Sequence, residues 1–244
     1  LERGLLSSGL AAGSMVLLGY IDLRLQSPQY LSDLSEQYRL LIAGLIACTI
    51  LAAGMVIASR IRPLHEWVNR SRTGLAIAAA TLAGLFVAVL LSRPLWWTGN
   101  TTPLGTPYAQ LVAGLQSLEG LEVDGTRSYD EMTLNWLSWY YGWVTVLVGL
   151  AGLVLLLFIS MKRAKLGHLA LLISLAVPSL LYIRRPSITP DQIWAMRRLL
   201  PVAVPFILLM AGWALAWAAA RGRAWSVVAS VAGLAMVVAP VTTW

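Results

Sequence analysis

Four arginines crowd one short stretch of this chain, Arg184 and Arg185 at its start and Arg197 and Arg198 at its end. A guanidinium presents a planar fork of donors that can hold a phosphate through two parallel hydrogen bonds, which a lysine ammonium cannot do. Between the two pairs, Thr189, Pro190, Asp191 and Gln192 read as a helix start. Thr189 suits the N-cap, Pro190 the first turn, Asp191 the positive end of the dipole, and Gln192 the reciprocal position of a capping box. A short helix is expected from there toward the next apolar stretch, kinked by Pro201 and Pro205. It would carry Arg197 and Arg198 at one level, with Trp194 a turn earlier. One reading is a pocket for a lipid-linked phosphate; the other is a set of interfacial arginines bonded to ordinary headgroups.

A second group of residues could contact a sugar. The stretch from Arg93 to Asn135 opens Arg93-Pro94-Leu95-Trp96-Trp97 and closes Ser128-Tyr129-Asp130-Glu131 before Trp136. A connection of this length is expected to be functional or to hold its own helix, and Tyr108 to Leu118 reads as a short amphipathic one. Beyond it, Trp136, Trp139, Tyr140 and Trp143 fall at i, i+3, i+4 and i+7, which puts them on one face of a continuous helix. They would form either an interfacial aromatic belt or a stacking platform for a sugar ring. Tyr129, Asp130 and Glu131 would then supply hydrogen bonds, an acidic company that a belt does not need.

Other chemistry finds little support. Asp22 at the end of an apolar run is either a functional carboxylate or a helix-end residue paired with Arg24 or Arg39. His65 and His168 stand far apart without ligand spacing, so no metal site is expected. Cys48 is the sole cysteine, which excludes a disulfide framework. No nucleophile elbow, phosphate-binding loop, dinucleotide fingerprint or zinc-protease motif occurs, and no cofactor is expected beyond a lipid-linked substrate.

The elements that must position these residues follow from composition. Of 244 residues 58% are hydrophobic and only 12% charged, with a mean hydropathy of +0.73, against about 25% charged in a soluble domain. This excludes a soluble enzyme, a disordered chain and a coiled coil. An all-α polytopic transmembrane bundle is expected instead, since a helix satisfies its own backbone in lipid. With about 20 apolar residues per crossing, seven stretches qualify: 4–21, 39–59, 74–92, 136–160, 166–183, 199–219 and 225–244. Gly9 and Gly13 in the first are a small-residue pair suited to close helix packing.

Cytoplasmic loops are enriched in Lys and Arg. With the N-terminus inside, ten basic residues and two acids fall inside, and eight basic residues and nine acids outside. Four of those eight are the arginines of 184–198. Without that loop the ratio is ten to four, so 93–135 and 184–198 are expected outside, the second in defiance of the charge bias. The net charge of +7 is dispersed over short loops and makes no nucleic-acid-binding face.

The runs 118–131, Trp136-Leu137-Ser138-Trp139-Tyr140-Tyr141-Gly142-Trp143 and Ile193-Trp194-Ala195-Met196-Arg197-Arg198-Leu199-Leu200-Pro201 with Pro205 resemble actinobacterial polytopic proteins of the GT-C glycosyltransferase superfamily. The resemblance covers roughly 90–244 and extends to the aminoarabinose and dolichyl-phosphate-mannose transferases. It implies inverting transfer of a sugar from a polyprenyl-phosphate donor to an acceptor outside the cytoplasmic membrane. On that basis Arg184, Arg185, Arg197 and Arg198 would contact the donor phosphate. Tyr129, Glu131, Trp139, Tyr140, Asp191 and Trp194 would contact sugar or acceptor. The catalytic carboxylate of such enzymes lies in a first outside loop, which here, at 22–38, lacks a paired-acid pattern. The chain, which opens at Leu1 and ends in an apolar run, is therefore expected to be a C-terminal portion with its base upstream, working with further segments of the same protein. A transporter or flippase for an anionic lipid is the alternative.

Overall fold

A computed structural model describes residues 2–33, 61–185 and 199–242, with isolated positions between 39 and 50. Of residues 2–12 only the backbone is described. Among the described residues every regular element is a helix and no strand occurs. They comprise α1 (Glu2–Gln26), α2 (Pro28–Asp33), α3 (Arg62–Trp96), α4 (Pro107–Leu118), a 3₁₀ turn (Asp130–Met132), α5 (Thr133–Lys162), α6 (Leu166–Arg184), α7 (Ala203–Ala219) and α8 (Arg223–Thr242). Residues 1–69 and 70–244 form two separate units.

Four helical segments are long and apolar enough to cross a membrane: Glu66–Trp96, Asp130–Lys162, Gly167–Arg184 and Arg223–Val241. The protein is thus an all-helical chain with the makings of a membrane protein. The expected span 39–59 lies almost wholly outside the described residues. So do the capping sequence at 189–192 and the loop side chains Asp191, Trp194, Arg197 and Arg198.

In the second unit α5 is the central element. It packs most extensively on α7, and also on α6 and α8. Close approach to α7 is made possible by two glycines one turn apart. A Cβ on Gly149 would stand 2.7 Å from the Ile207 carbonyl oxygen, and one on Gly152 would collide with the carbonyl of Met210. Around this contact Leu150, Leu153, Leu156, Phe206, Ile207 and Met210 are almost wholly buried. Without a hydrophobic drive between helices in lipid, such backbone proximity and packing hold a bundle together.

Two expectations are corrected by local geometry. Helix α7 starts at Ala203, four residues later than expected, because Pro201 lies in the preceding turn. Pro205 sits in the first helical turn, where a missing N–H costs nothing. The second correction is in α5, which is broken at Gly142 (φ +73°, ψ +150°), a conformation open to glycine alone. A Cβ there would lie 2.7 Å from that of Ala239 on α8. Trp143 therefore belongs to a new helical segment. The four aromatics form no single platform: Trp136 is 4% exposed, whereas Trp139 is 45% and Trp143 43% exposed.

Candidate functional site at the joined ends of α3, α5 and α6

Helix α3 ends, α5 begins and α6 ends at one place, fastened by Arg93. The side chain of Arg93 is only 5% exposed. It donates from Nη1 to the Arg184 carbonyl at 2.7 Å, and from Nη2 to the Ile183 carbonyl at 2.9 Å and to Thr133 Oγ1 at 3.1 Å. The last carbonyls of a helix have no partner within it and carry the negative end of its dipole. Arg93 meets both needs for α6. Thr133, fully buried at the first position of α5, adds its hydroxyl to the Ile183 carbonyl. The loops that follow Arg93 and Arg184 thus begin side by side.

The first of these loops is folded. Helix α4 opens with Thr106 as N-cap, its hydroxyl accepting from the Ala109 amide at 3.2 Å, and Pro107 at the first helical position. Its buried face is Ala109, Val112 and Gln116, the helical spacing anticipated for 108–118. The Gln116 side chain accepts from the Asp124 amide at 2.7 Å and donates to the Asp124 carbonyl at 3.1 Å and the Tyr129 hydroxyl at 3.0 Å. In the half-buried turn that follows, the Thr126 hydroxyl and amide donate to Asp124 Oδ1. Those bonds hold the Asp124 carboxyl below the usual carboxylate range.

Tyr129 and Glu131 tie this loop to the helix ends. Tyr129 adopts a left-handed conformation (φ +51°) beneath the Arg127 guanidinium, 4.3 Å from its ring centre. Glu131, 4% exposed, accepts from the Gly99 amide at 2.9 Å and pairs with Arg127 at 2.6 Å. The Gly99 carbonyl in turn accepts from the Ser128 amide at 2.7 Å. A Cβ on Gly99 would press on Ser128 Oγ at 2.7 Å, so the loop closes here only around glycine.

Beside this knot lies a cleft of about 420 Å³ lined by Phe86, Val89, Leu90, Arg93, Trp96, Trp97, Thr101, Asp130, Arg184 and Arg185. One wall is apolar and aromatic, from the last turns of α3. The other is polar, with Arg184 and Arg185 at the end of α6. Asp130, 2% exposed, faces them, and its Oδ2 stands 3.8 Å from Arg185 Nε. The same oxygen accepts from Ser128 Oγ at 2.9 Å and Thr101 Oγ1 at 3.4 Å. Such a lining suits a ligand with an apolar body and an anionic group: the aromatic wall takes the first, the guanidinium groups the second.

Of the residues singled out by sequence, Arg184 and Arg185 come together in the cleft, and Asp130 joins them. Tyr129 and Glu131 lie next to it but spend their polar atoms on the loop's own closure. Trp139 and Tyr140, on α5, are not among the residues lining it. Arg93, Thr101, Trp96 and Trp97 were not singled out as site residues. Their signal was present in Arg93-Pro94-Leu95-Trp96-Trp97, an arginine and two tryptophans ending an apolar run. Against family models, curated proteins and solved structures the chain finds no match.

Proposed function

We propose that the chain is part of a multi-pass glycosyltransferase of the cytoplasmic membrane that transfers a sugar from a polyprenyl-phosphate donor to an acceptor on the outer side. The observation that carries this reading is the cleft, where Arg184 and Arg185 face an aromatic and aliphatic wall at the ends of apolar helices. In this reading seven spans cross the membrane with the N-terminus inside, and residues 93–135 and 184–198 lie outside. Arg184 and Arg185, joined by Arg197 and Arg198, hold the donor phosphate, while Phe86, Val89 and Trp96 take the first isoprene units.

The chemistry is a displacement at the anomeric carbon. An acceptor hydroxyl attacks, its proton passes to a carboxylate base supplied upstream of this chain, and the bond to the phosphate oxygen breaks. The arginines then stabilise the charge developing on the departing lipid phosphate, which is where preorganised donors act most strongly. Arg93 is a positioning residue in this scheme, because its donors are used on the backbone of α6.

The break at Gly142 favours a second reading, a transporter or flippase for an anionic lipid, since broken helices line many transport sites. At that break Gly142 packs directly against Ala239 of α8. The decisive measurement is binding of a polyprenyl phosphate to the purified protein in neutral detergent, followed by transfer from the corresponding lipid-linked sugar in proteoliposomes. Loss of one charge-assisted contact, at about 1.5 kcal/mol, should weaken binding by about 10-fold in Arg185→Gln. Unchanged binding in both Arg184→Gln and Arg185→Gln overturns the donor site. Lipid movement without sugar transfer establishes the transporter instead.

A further inference from the structure

Asp130 is a carboxylate with an idle oxygen in a cleft built for an anion. Its contacts with Ser128, Thr101 and Arg185 all fall on Oδ2. Among the described residues no donor reaches Oδ1, although the side chain is 2% exposed and Asp130 lines the cleft. A carboxylate carries about four acceptor positions, so Asp130 keeps acceptor capacity for a ligand hydroxyl. It also opposes an anionic ligand that offers nothing but negative charge. Glu131, the neighbouring acid, has no such vacancy, since the Gly99 amide and Arg127 take one oxygen each.

We propose that Asp130 selects a phosphoester that also carries hydroxyl groups, with Oδ1 accepting a hydrogen bond from a ligand hydroxyl while Arg184 and Arg185 hold the phosphate. The ligand class is a polyol phosphate, as a lipid headgroup or as a free sugar phosphate. This rests on reading the cleft as a phosphate site. The ligand hydroxyl meets a carboxylate whose other oxygen is 3.8 Å from Arg185 Nε, so hydroxyl and phosphate must be near neighbours in the ligand. A lipid phosphate without hydroxyls satisfies the arginines but offers Asp130 Oδ1 no donor and meets its negative charge.

Native mass spectrometry of the full chain in neutral detergent can count lipid adducts directly. The probes are phosphatidylinositol and phosphatidylethanol, two phosphodiesters of equal charge that differ in hydroxyls. The unsubstituted protein should take up phosphatidylinositol about 10-fold in preference, the lower end of the scale of one hydrogen bond to a charged group. Asp130→Asn should reduce that preference to within about 2-fold, with phosphatidylethanol uptake unchanged or higher because a neighbouring negative charge is gone. Arg185→Gln should lower both adducts and keep their ratio. Equal uptake of the two lipids by the unsubstituted protein overturns the proposal without recourse to any variant, and so does an undiminished preference in a folded Asp130→Asn. If Arg184→Gln and Arg185→Gln leave both lipids unaffected, the phosphate reading fails and takes this proposal with it. Glucose 1-phosphate separates the sources: displacement of phosphatidylinositol at comparable concentration assigns a soluble sugar phosphate, and displacement only in large excess a lipid headgroup.

Discussion

Replacing Arg93 by methionine keeps the bulk of the side chain and removes the fastening between α3 and the end of α6. Three hydrogen bonds disappear, two of them to backbone carbonyls at 2.7 and 2.9 Å. Hydrogen bonds between membrane helices average about 0.6 kcal/mol, whereas charge-assisted ones reach about 1.5 kcal/mol or more. Three of them bracket the loss at roughly 2–4.5 kcal/mol. The guanidinium is itself buried and its Nε is left without a partner, so its removal recovers some desolvation and favours the lower part of that range. The Arg184 carbonyl keeps no other partner among the described residues, while that of Ile183 retains the Thr133 hydroxyl. A loss of about 2–3 kcal/mol is expected, or roughly 5–10 °C in melting temperature for a chain of this size. Thermal unfolding in mild detergent measures it, and hydrogen exchange should show residues 180–185 losing protection first. Arg93→Lys should fall between, since an ammonium can reach one carbonyl but not fork across two. A methionine variant within about 1 °C of the parent, with exchange at 180–185 unaltered, would show that Arg93 does not hold the end of α6.

Gly142→Ala imposes a side chain at φ +73° against Ala239; a loss of about 1–3 kcal/mol in the same unfolding measurement is expected, and none would mean the break is not fixed by glycine. Glu131→Gln removes the charge of a pair at 2.6 Å with Arg127, so protease cutting within 97–128 should accelerate while the helices stay resistant. Because Asp124 is held below its ordinary value near 3.8, its contribution is complete above that value and disappears as pH falls through the depressed one; exchange at 124–127 should rise only in strong acid, and Thr126→Val, which removes the hydroxyl and keeps the amide donor, should weaken that pH dependence. Cysteines introduced at Ser71 and Thr126 should react with an impermeant thiol reagent from opposite sides of the membrane, and same-side labelling would refute the proposed topology.

Much of the helical architecture was legible because apolar run length alone marks a helix able to satisfy its backbone in lipid. Helix α6 spans 166–184 against an expected 166–183, and α4 carries its amphipathic face as expected. Reading failed where a single backbone conformation outranks periodicity. The spacing of Trp136, Trp139, Tyr140 and Trp143 implies one face only if the helix is continuous, and Gly142 separates Trp143 from the other three. Glu131 looked like a sugar contact because an acid beside tyrosine and tryptophan fits that chemistry. Its oxygens also accept from the Gly99 amide, 32 residues earlier in the chain, and pair with Arg127; the contact with Gly99 is one that local sequence does not encode.

The same distinction explains why Arg93 escaped notice while Arg184 and Arg185 did not. A charge-bias count finds residues that break a statistical rule, and a pair of adjacent arginines breaks it visibly. Arg93 counts as one more basic residue at a helix end until the end of α6 is placed beside it. Once there, its work is determined by what α6 lacks: the terminal carbonyls need donors, and lipid supplies none. Meeting that need fixes the backbone from which Arg184 and Arg185 project. Their separation from the aromatic wall of α3 then depends on Arg93, which stands among the residues of that wall. Cleft geometry and helix termination are therefore one requirement, so substitutions at Arg93 should impair stability and phosphate binding together, whereas those at Arg185, 54% exposed in its side chain, should impair binding alone.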